Sequence, residues 1–174
     1  MKRLVYIVFA AFVAAALLPA CNTTGCINNQ SAIPLVGFYS STDGTSITLS
    51  DVAISGVGAP NDSLLVVAGS IVKTVYLPMR SQYNTVSWCL HYDQEGIDST
   101  AFNDTITFGY ESLPYFASEE CGAMYYYDIK SMSYTTHLID SVVISDSLIT
   151  NVDIERIHIY FRTAEEPVTP PVEL

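Results

Sequence analysis

The sequence predicts an all-β protein: a single antiparallel β-sandwich, immunoglobulin-like or related, that follows an N-terminal signal peptide. Apolar and polar residues alternate with a period of two along most of the chain, whereas helices have a period of 3.6. The alternating runs are rich in Val, Ile, Thr and Tyr, which favour strands. Turn-forming residues separate the runs at short intervals, as in sandwiches.

The clearest strand is Thr85–Tyr92, in which every second residue is apolar or aromatic. The same criterion predicts about eight to ten strands, drawn from the segments Leu35–Ser40, Ile47–Ile54, Leu64–Ala68, Ile71–Leu77, Thr85–Tyr92, Thr105–Tyr110, Tyr115–Ser118, Ala123–Ile129, Leu138–Ile144 and Arg156–Arg162. Turns between them are predicted at Asp43-Gly44, Gly58–Asp62, Glu95-Gly96 and Cys121-Gly122.

The start of the chain has the pattern of a lipoprotein signal peptide. Lys2 and Arg3 precede an apolar run of 15 residues that ends at Leu18 and is too short for a comfortable membrane span. The next residues, Pro19-Ala20-Cys21, complete a sequence that resembles the bacterial lipobox, in which the cysteine is acylated and becomes the new N-terminus. We therefore expect Cys21 to hold the protein at a membrane through its lipid.

These features divide the chain into four predicted segments. They are the signal peptide, residues 1–20; the lipidated cysteine with its tether, residues 21–33; the β-sandwich, residues 34–163; and a disordered tail, residues 164–174, which contains three prolines. Acidic residues outnumber Lys plus Arg by 18 to 7, for a formal charge of −11. So few cations exclude nucleic-acid binding and a polybasic membrane patch.

The cysteines predict one disulfide. With Cys21 acylated, Cys26, Cys89 and Cys121 remain in an oxidising compartment, and three cysteines cannot all pair within one chain. Cys89 lies within a strand-like run and is interpreted as a free thiol, whereas Cys26 and Cys121 lie in a polar segment and a turn. A Cys26–Cys121 disulfide would close a loop of about 95 residues and contribute on the order of 4 kcal/mol. No CxxC or HxxxH spacing supports a metal site.

The mature chain contains several distinctive segments: the lipobox at Cys21, then Cys26, Ile33–Tyr39, Asp104–Tyr110, Leu113–Gly122 and Glu155–Phe161. Together they resemble a family of small uncharacterised lipoproteins from Bacteroidota, a domain of unknown function. The resemblance implies that Cys26 and Cys121 are the family's recurring pair and that Cys89 stays unpaired. It implies no activity and therefore no catalytic residue and no cofactor.

A second resemblance concerns modification. The O-glycosylation signal of these bacteria is Asp, then Ser or Thr, then a residue such as Ala, Ile, Leu, Val, Met or Thr. It occurs five times, where composition predicts about one match. The acceptor residues would be Ser63, Ser99, Thr105, Ser141 and Ser147. Thr105, Ser63 and Ser99 are favoured, because they lie near predicted turns. The alternative is that Asp-Ser and Asp-Thr simply begin strands, since turn residues there give way to β-formers.

The tyrosine run Tyr125-Tyr126-Tyr127 is the strongest functional signal in the sequence. Three consecutive strand residues cannot all face inward, so at least one ring is expected at the surface, as part of a face that binds sugar or protein. A core with an aromatic rim is the alternative. Cys89 and His91 share a strand face, but no Gly-x-Ser-x-Gly or His-Glu-x-x-His motif accompanies them, so we expect no enzyme.

The sequence therefore predicts a non-enzymatic envelope lipoprotein that acts as an interaction module for another envelope protein. A glycan-binding accessory lipoprotein that uses exposed tyrosines is the alternative. The residues after Cys21, Asn22-Thr23-Thr24-Gly25, contain no acidic run of the kind that often marks surface-bound lipoproteins in this group. We therefore expect an outer-membrane lipoprotein that faces the periplasm.

Overall fold

The computed structural model describes residues 31–60, 63–119 and 122–162. It confirms an all-β fold in which two sheets pack face to face. Its strands are, in chain order, β1 (Leu35–Ser40), β2 (Val52–Gly56), β3 (Leu64–Val66), β4 (Thr74–Tyr76), β5 (Thr85–Tyr92), β6 (Asp104–Ser118), β7 (Gly122–Tyr134), β8 (Ile139–Ile144), β9 (Leu148–Ile149) and β10 (Glu155–Phe161). A 3-10 turn, Thr100–Phe102, precedes β6.

One sheet has four strands in the order β4-β1-β10-β8, and the other has six in the order β3-β2-β5-β6-β7-β9. All neighbours run antiparallel except β1 and β10, which pair in parallel, so that Gly37 lies opposite His158 and Tyr39 opposite Tyr160. The first and last described strands thus lie side by side in the centre of the four-stranded sheet.

The core lies between the sheets and is formed by the alternate residues that the pattern predicted to face inward. In β5, Val86, Trp88, Leu90 and Tyr92 are buried, as the period of two requires. The largest fully buried side chains come from both sheets: Phe38, Ile54, Leu90, Tyr92, Ile106, Phe108, Ile157 and Ile159. Their burial supplies the main favourable term in folding.

The carboxylate of Asp104, at the start of β6, ties the two sheets together. It is fully buried and accepts hydrogen bonds from the backbone N–H groups of His137, Leu138 and Ile139, at 2.8–2.9 Å. These residues connect β7 of one sheet to β8 of the other. A buried carboxylate is tolerated there because donors from the crossing chain surround it.

The main difference from the predicted strands is the length of β6. The sequence predicts Thr105–Tyr110 and Tyr115–Ser118 as separate strands. In the structure they form one strand of 15 residues. Pro114 lies beyond the last residue that pairs with β5, so its missing N–H removes no hydrogen bond from that side of the sheet.

Two smaller differences have local causes. The predicted strand Ile47–Ile54 begins only at Val52, because the segment before it forms an isolated bridge, Leu49–Val72, and no continuous ladder. The two-residue strand β9 was not predicted because Leu148–Ile149 is too short to show a period.

Candidate functional site

The β6–β7 hairpin extends well past the sheet that carries it. Pairing between β5 and β6 ends at Thr85 and Gly109, whereas β6 runs on to Ser118. On the other side, β9 pairs with β7 at Tyr127 and Asp128 alone. We call the projecting part, Glu111–Ser118 of β6 with Gly122–Tyr126 of β7, the distal hairpin.

Aromatic side chains lie on both faces of the distal hairpin. On one face, Tyr115 and Tyr126 stack with their ring centroids 4.4 Å apart, and the Tyr126 hydroxyl donates to Asn151 Oδ1 at 3.0 Å. On the other face, Phe116 is 66% exposed and Tyr125 is 43% exposed. Aromatic rings are enriched at protein interfaces because they bury a large area at a small entropic cost.

The edge of β6 that faces β5 becomes free where the distal hairpin begins. Tyr110 is the last residue to use this edge, through the hydrogen bond from its N–H to the Asn84 carbonyl at 2.8 Å. Backbone groups alternate in direction along a strand, so Ser112 and Phe116 turn their N–H groups toward the same edge. The nitrogen of Pro114 also faces this edge, but it carries no hydrogen.

A shallow cavity of about 660 Å³ lies beside the first residue of β5, Thr85, where β6 continues without β5 as a neighbour. Its lining comes from the segment Ser81–Asn84 and from Tyr110, Glu111 and Ser112 of β6. The Ser112 hydroxyl is buried and has no hydrogen-bond partner among the described residues. We call this cavity the edge notch, since it occupies the position that a longer β5 would fill.

Two buried tyrosines of the hairpin hold the loop that borders the notch. The Tyr110 hydroxyl accepts from the Arg80 N–H at 3.1 Å and donates to the Arg80 carbonyl at 2.9 Å. Tyr127 packs edge-on against Tyr110 and donates to the Met79 carbonyl at 3.4 Å. The loop is thus positioned by the strands from which the hairpin projects.

The tyrosine run is split between the core and the surface. Tyr127 is only 5% exposed and belongs to the core, while Tyr125, two residues away on the same face, lies beyond the sandwich and is exposed. Tyr126 is half-buried on the opposite face. The aromatic surface therefore consists of Tyr125 and the Tyr115–Tyr126 stack, together with Phe116, which the sequence had not singled out.

A second polar and aromatic cluster, also not predicted, covers the outer face of the four-stranded sheet. The Tyr39 hydroxyl donates to the Glu155 carboxylate, and His158 Nε2 lies 3.1 Å from the same carboxylate. The Tyr39 ring is 5.4 Å from the Tyr160 ring. Gly37 leaves the space that the Glu155 carboxylate occupies. The parallel pairing of β1 with β10 creates this cluster, and a sequence pattern does not reveal which strands become neighbours.

The predicted acceptor residues for O-glycosylation lie in different environments. Ser63, Ser99 and Ser147 are exposed, whereas Thr105 and Ser141 are half-buried within strands. The Ser99 hydroxyl caps the 3-10 turn by accepting from the Ala101 N–H. Thr105 follows the buried Asp104, so the acidic residue of that triplet is not accessible in the folded protein.

The three cysteines with predicted roles, Cys21, Cys26 and Cys121, lie outside the described residues. Cys89 is a half-buried free thiol in β5. His91, its neighbour on the same face, has Nδ1 2.8 Å from Asn103 Oδ1. Within the described ranges, no group of three or more His, Cys, Asp or Glu side chains is placed to hold a metal ion. No described helix is long and apolar enough to cross a membrane.

Comparisons with known proteins give a family and no activity. No curated protein and no solved structure matches the chain. One family model matches residues 51–161, which include every strand from β2 to β10. The chain therefore belongs to DUF6452, a family of unknown function.

Proposed function

We propose that this protein is a non-enzymatic envelope lipoprotein, anchored through lipidated Cys21, that binds a protein partner by accepting one of its strands on the free edge of β6. The observation that carries the proposal is the length of β6, which continues for nine residues after its pairing with β5 has ended. In this proposal the protein is held at the outer membrane and faces the periplasm, and its partner is another envelope protein.

The free edge has the features that strand addition needs. An incoming strand would begin in the edge notch and take up the N–H groups of Ser112 and Phe116. Main-chain hydrogen bonds would supply affinity, and the aromatic side chains on the two faces would supply specificity. Folded proteins usually cover or charge an edge of this length, since it otherwise pairs with foreign strands.

Crosslinking from within cells identifies the partner. We would replace Phe116 by the photoreactive p-benzoylphenylalanine in the full-length protein and, as the matched control, replace Val143 in the same way. Val143 is 46% exposed and lies in β8, on the other sheet. We expect one dominant adduct from position 116 and none from position 143. Equal adducts from both positions would refute binding at the hairpin.

The Ser112→Pro substitution tests the binding mode with the purified partner. Proline at position 112 removes one free N–H from the edge. Position 112 faces the same edge as position 114, where β6 already contains a proline. We expect an unchanged urea midpoint and at least a tenfold weaker complex, since main-chain bonds carry the affinity. Val143→Ala, at an exposed position of β8 on the other sheet, is the control. Full affinity in the proline variant would exclude strand addition.

The glycan-binding alternative rests on the exposed tyrosines of the distal hairpin. Tyr125 is free to stack on a sugar, while Tyr127 is not, because it is buried in the core. The test is a glycan array probed with the full-length protein and with Tyr125→Ala. A signal that the substitution removes would favour this alternative over a protein partner.

The periplasm-facing orientation and the glycosylation are part of the same proposal. Protease added to intact cells should leave the protein whole, and degradation would reverse the orientation. We expect a glycan on at least one of the exposed acceptors Ser63, Ser99 and Ser147. An intact mass from the native host that equals the mass of the lipidated polypeptide would exclude it.

A further inference from the structure

Tyr83, which lines the edge notch, also lines a second cavity. It has a volume of about 320 Å³, at the lower end of the range of roughly 300–1,000 Å³ for ligand pockets. Thr85 and Ser87 belong to the polar, outward-facing row of β5. The cavity is lined by Val57, Gly58, Arg80, Tyr83, Thr85, Val86 and Ser87.

Arg80 is the charged residue of this cavity, and it has no carboxylate partner among the described residues. The other two arginines that the structure describes differ: Arg156 pairs with Asp146 at 3.6 Å, and Arg162 with Asp140 at 3.5 Å. A protein with a formal charge of −11 has abundant carboxylates to neutralise its few cations. Arg80 instead lies over the Tyr83 ring, 5.2 Å from its centroid.

The loop that carries Arg80 and Tyr83 is fixed at both ends by one buried residue. The Tyr110 hydroxyl bonds to both backbone polar groups of Arg80, and the Tyr110 N–H bonds to the Asn84 carbonyl. A further turn bond joins the Tyr83 N–H to the Arg80 carbonyl at 3.1 Å. The backbone is therefore ordered before any ligand arrives, which lowers the entropic cost of binding.

We propose that this cavity binds an anionic group, a carboxylate or a phosphate, carried on a sugar ring. The Arg80 guanidinium presents a planar set of donors that matches either oxyanion with two parallel hydrogen bonds. The hydroxyl of Thr85, which lines the cavity, can bond to sugar hydroxyls, and the Tyr83 ring offers an apolar face for the sugar. The proposal does not depend on strand addition, because the free edge of β6 borders the other cavity.

The test is a set of NMR titrations of the isotopically labelled full-length protein in detergent. Three probes share one pyranose ring: glucuronate carries a carboxylate, glucose 6-phosphate carries a phosphate, and glucose is neutral. We expect saturable shifts of the Arg80, Tyr83 and Thr85 amides with at least one anionic probe and none with glucose. The anion that binds more tightly distinguishes the carboxylate source from the phosphate source.

Two matched variants make the result specific. Arg80→Gln should weaken binding at least tenfold, whereas Lys73→Gln should leave it unchanged; Lys73 is an exposed cation that does not line the cavity. Equal urea midpoints would show that both variants fold. Absence of shifts with both anions, equal shifts with glucose, or equal losses in the two variants would each overturn the proposal.

Discussion

The Tyr92 hydroxyl donates to Asp104 Oδ2 at 2.7 Å, and neither side chain is more than 1% exposed. Thr135 donates to the other carboxylate oxygen at 2.7 Å. Burial alone opposes ionisation of Asp104 and is the largest single influence, but the hydrogen bonds from the Ile139 and His137 backbone and from the two hydroxyls outweigh it together. The pKa of Asp104 is therefore lowered, and the group is a carboxylate at neutral pH.

We predict that Asp104→Asn destabilises the protein by about 3 kcal/mol at pH 7, since charged hydrogen bonds are each worth roughly 1.5–3 kcal/mol and buried donors would lose their acceptor. An asparagine also turns an N–H₂ group toward backbone donors. Urea denaturation followed by Trp88 fluorescence measures the loss. Asp93→Asn, at the exposed position that follows β5, is the control and should change stability by less than about 0.5 kcal/mol.

The same carboxylate gives a pH dependence with a defined sign. Because the pKa of Asp104 is lower when folded than its ordinary value of 3.8, its stabilising contribution is complete above that value and is lost as the pH falls below it. We expect the urea midpoint of the wild type to fall more steeply below pH 4 than that of Asp104→Asn. Parallel curves would show that Asp104 does not contribute through its charge.

Tyr110→Phe should loosen the loop between β4 and β5 without unfolding the sandwich. The change removes one donor and one acceptor and leaves both Arg80 backbone groups without their partner, at a cost of about 1–3 kcal/mol. Hydrogen exchange of the Tyr83 N–H should become faster than in the wild type, while exchange of the β5 amides should not change. Tyr125→Phe, which alters an exposed hydroxyl, should leave both rates unchanged.

Glu155→Gln should lower the pKa of Tyr39. The hydrogen bond to the Glu155 carboxylate, with burial and the negative charge beside it, raises the pKa of Tyr39 to about 12. An amide oxygen still accepts the hydroxyl but carries no charge, so the pKa should move toward 10. The ring carbon signal of Tyr39 in an NMR pH titration measures it, with Tyr39→Phe for assignment.

Gly37→Ala should have the same effect by a steric route. A Cβ atom built on Gly37 would lie 2.3 Å from the Glu155 carboxyl carbon, so the flexible Glu155 side chain must move away from Tyr39. In the wild type, the raised pKa means that Tyr39 stabilises the fold fully below pH 10 and loses that contribution as the pH rises toward 12. A normal alkaline titration of Tyr39 in the wild type would contradict both predictions.

The sequence predicts the strands well where their own residues decide the outcome, and less well where neighbours decide it. Thr85–Tyr92 has the predicted bounds because alternation alone specifies a half-buried strand. The segments Thr105–Tyr110 and Tyr115–Ser118 form one strand instead, and whether Pro114 between them is tolerated depends on where the pairing with β5 stops, which local sequence does not encode. Likewise, Tyr127 is buried and Tyr125 is exposed because the opposite sheet covers one ring and not the other, and local sequence does not encode how far that sheet extends.

The site residues show the same limit. The sequence favours Thr105 as an acceptor because it lies near a predicted turn, yet Asp104, the aspartate of its triplet, is buried at the junction of the two sheets. Arg80 and Tyr83 had no sequence signal either, since a single arginine near a tyrosine is common. Their juxtaposition follows from a bond to Tyr110, which is 30 residues away along the chain.

The predicted Cys26–Cys121 disulfide determines which thiols react. If Cys21 is acylated and Cys26 pairs with Cys121, alkylation of the urea-unfolded chain without reductant should modify Cys89 alone. After reduction, the same treatment should modify all three. Peptide mass spectrometry locates the adducts, and Cys89→Ser should give none before reduction. An adduct on Cys26 or Cys121 without reductant would refute the pairing.

Reduction of that disulfide should also lower stability by on the order of 4 kcal/mol, because it frees a loop of about 95 residues in the unfolded chain. Cys89→Ser separates this effect from general thiol chemistry. Cys89 is half-buried on the outward row of β5, so its replacement should cost less than about 1 kcal/mol. A urea midpoint of Cys89→Ser that did not change on reduction would mean that the fold does not depend on a covalent link between Cys26 and Cys121.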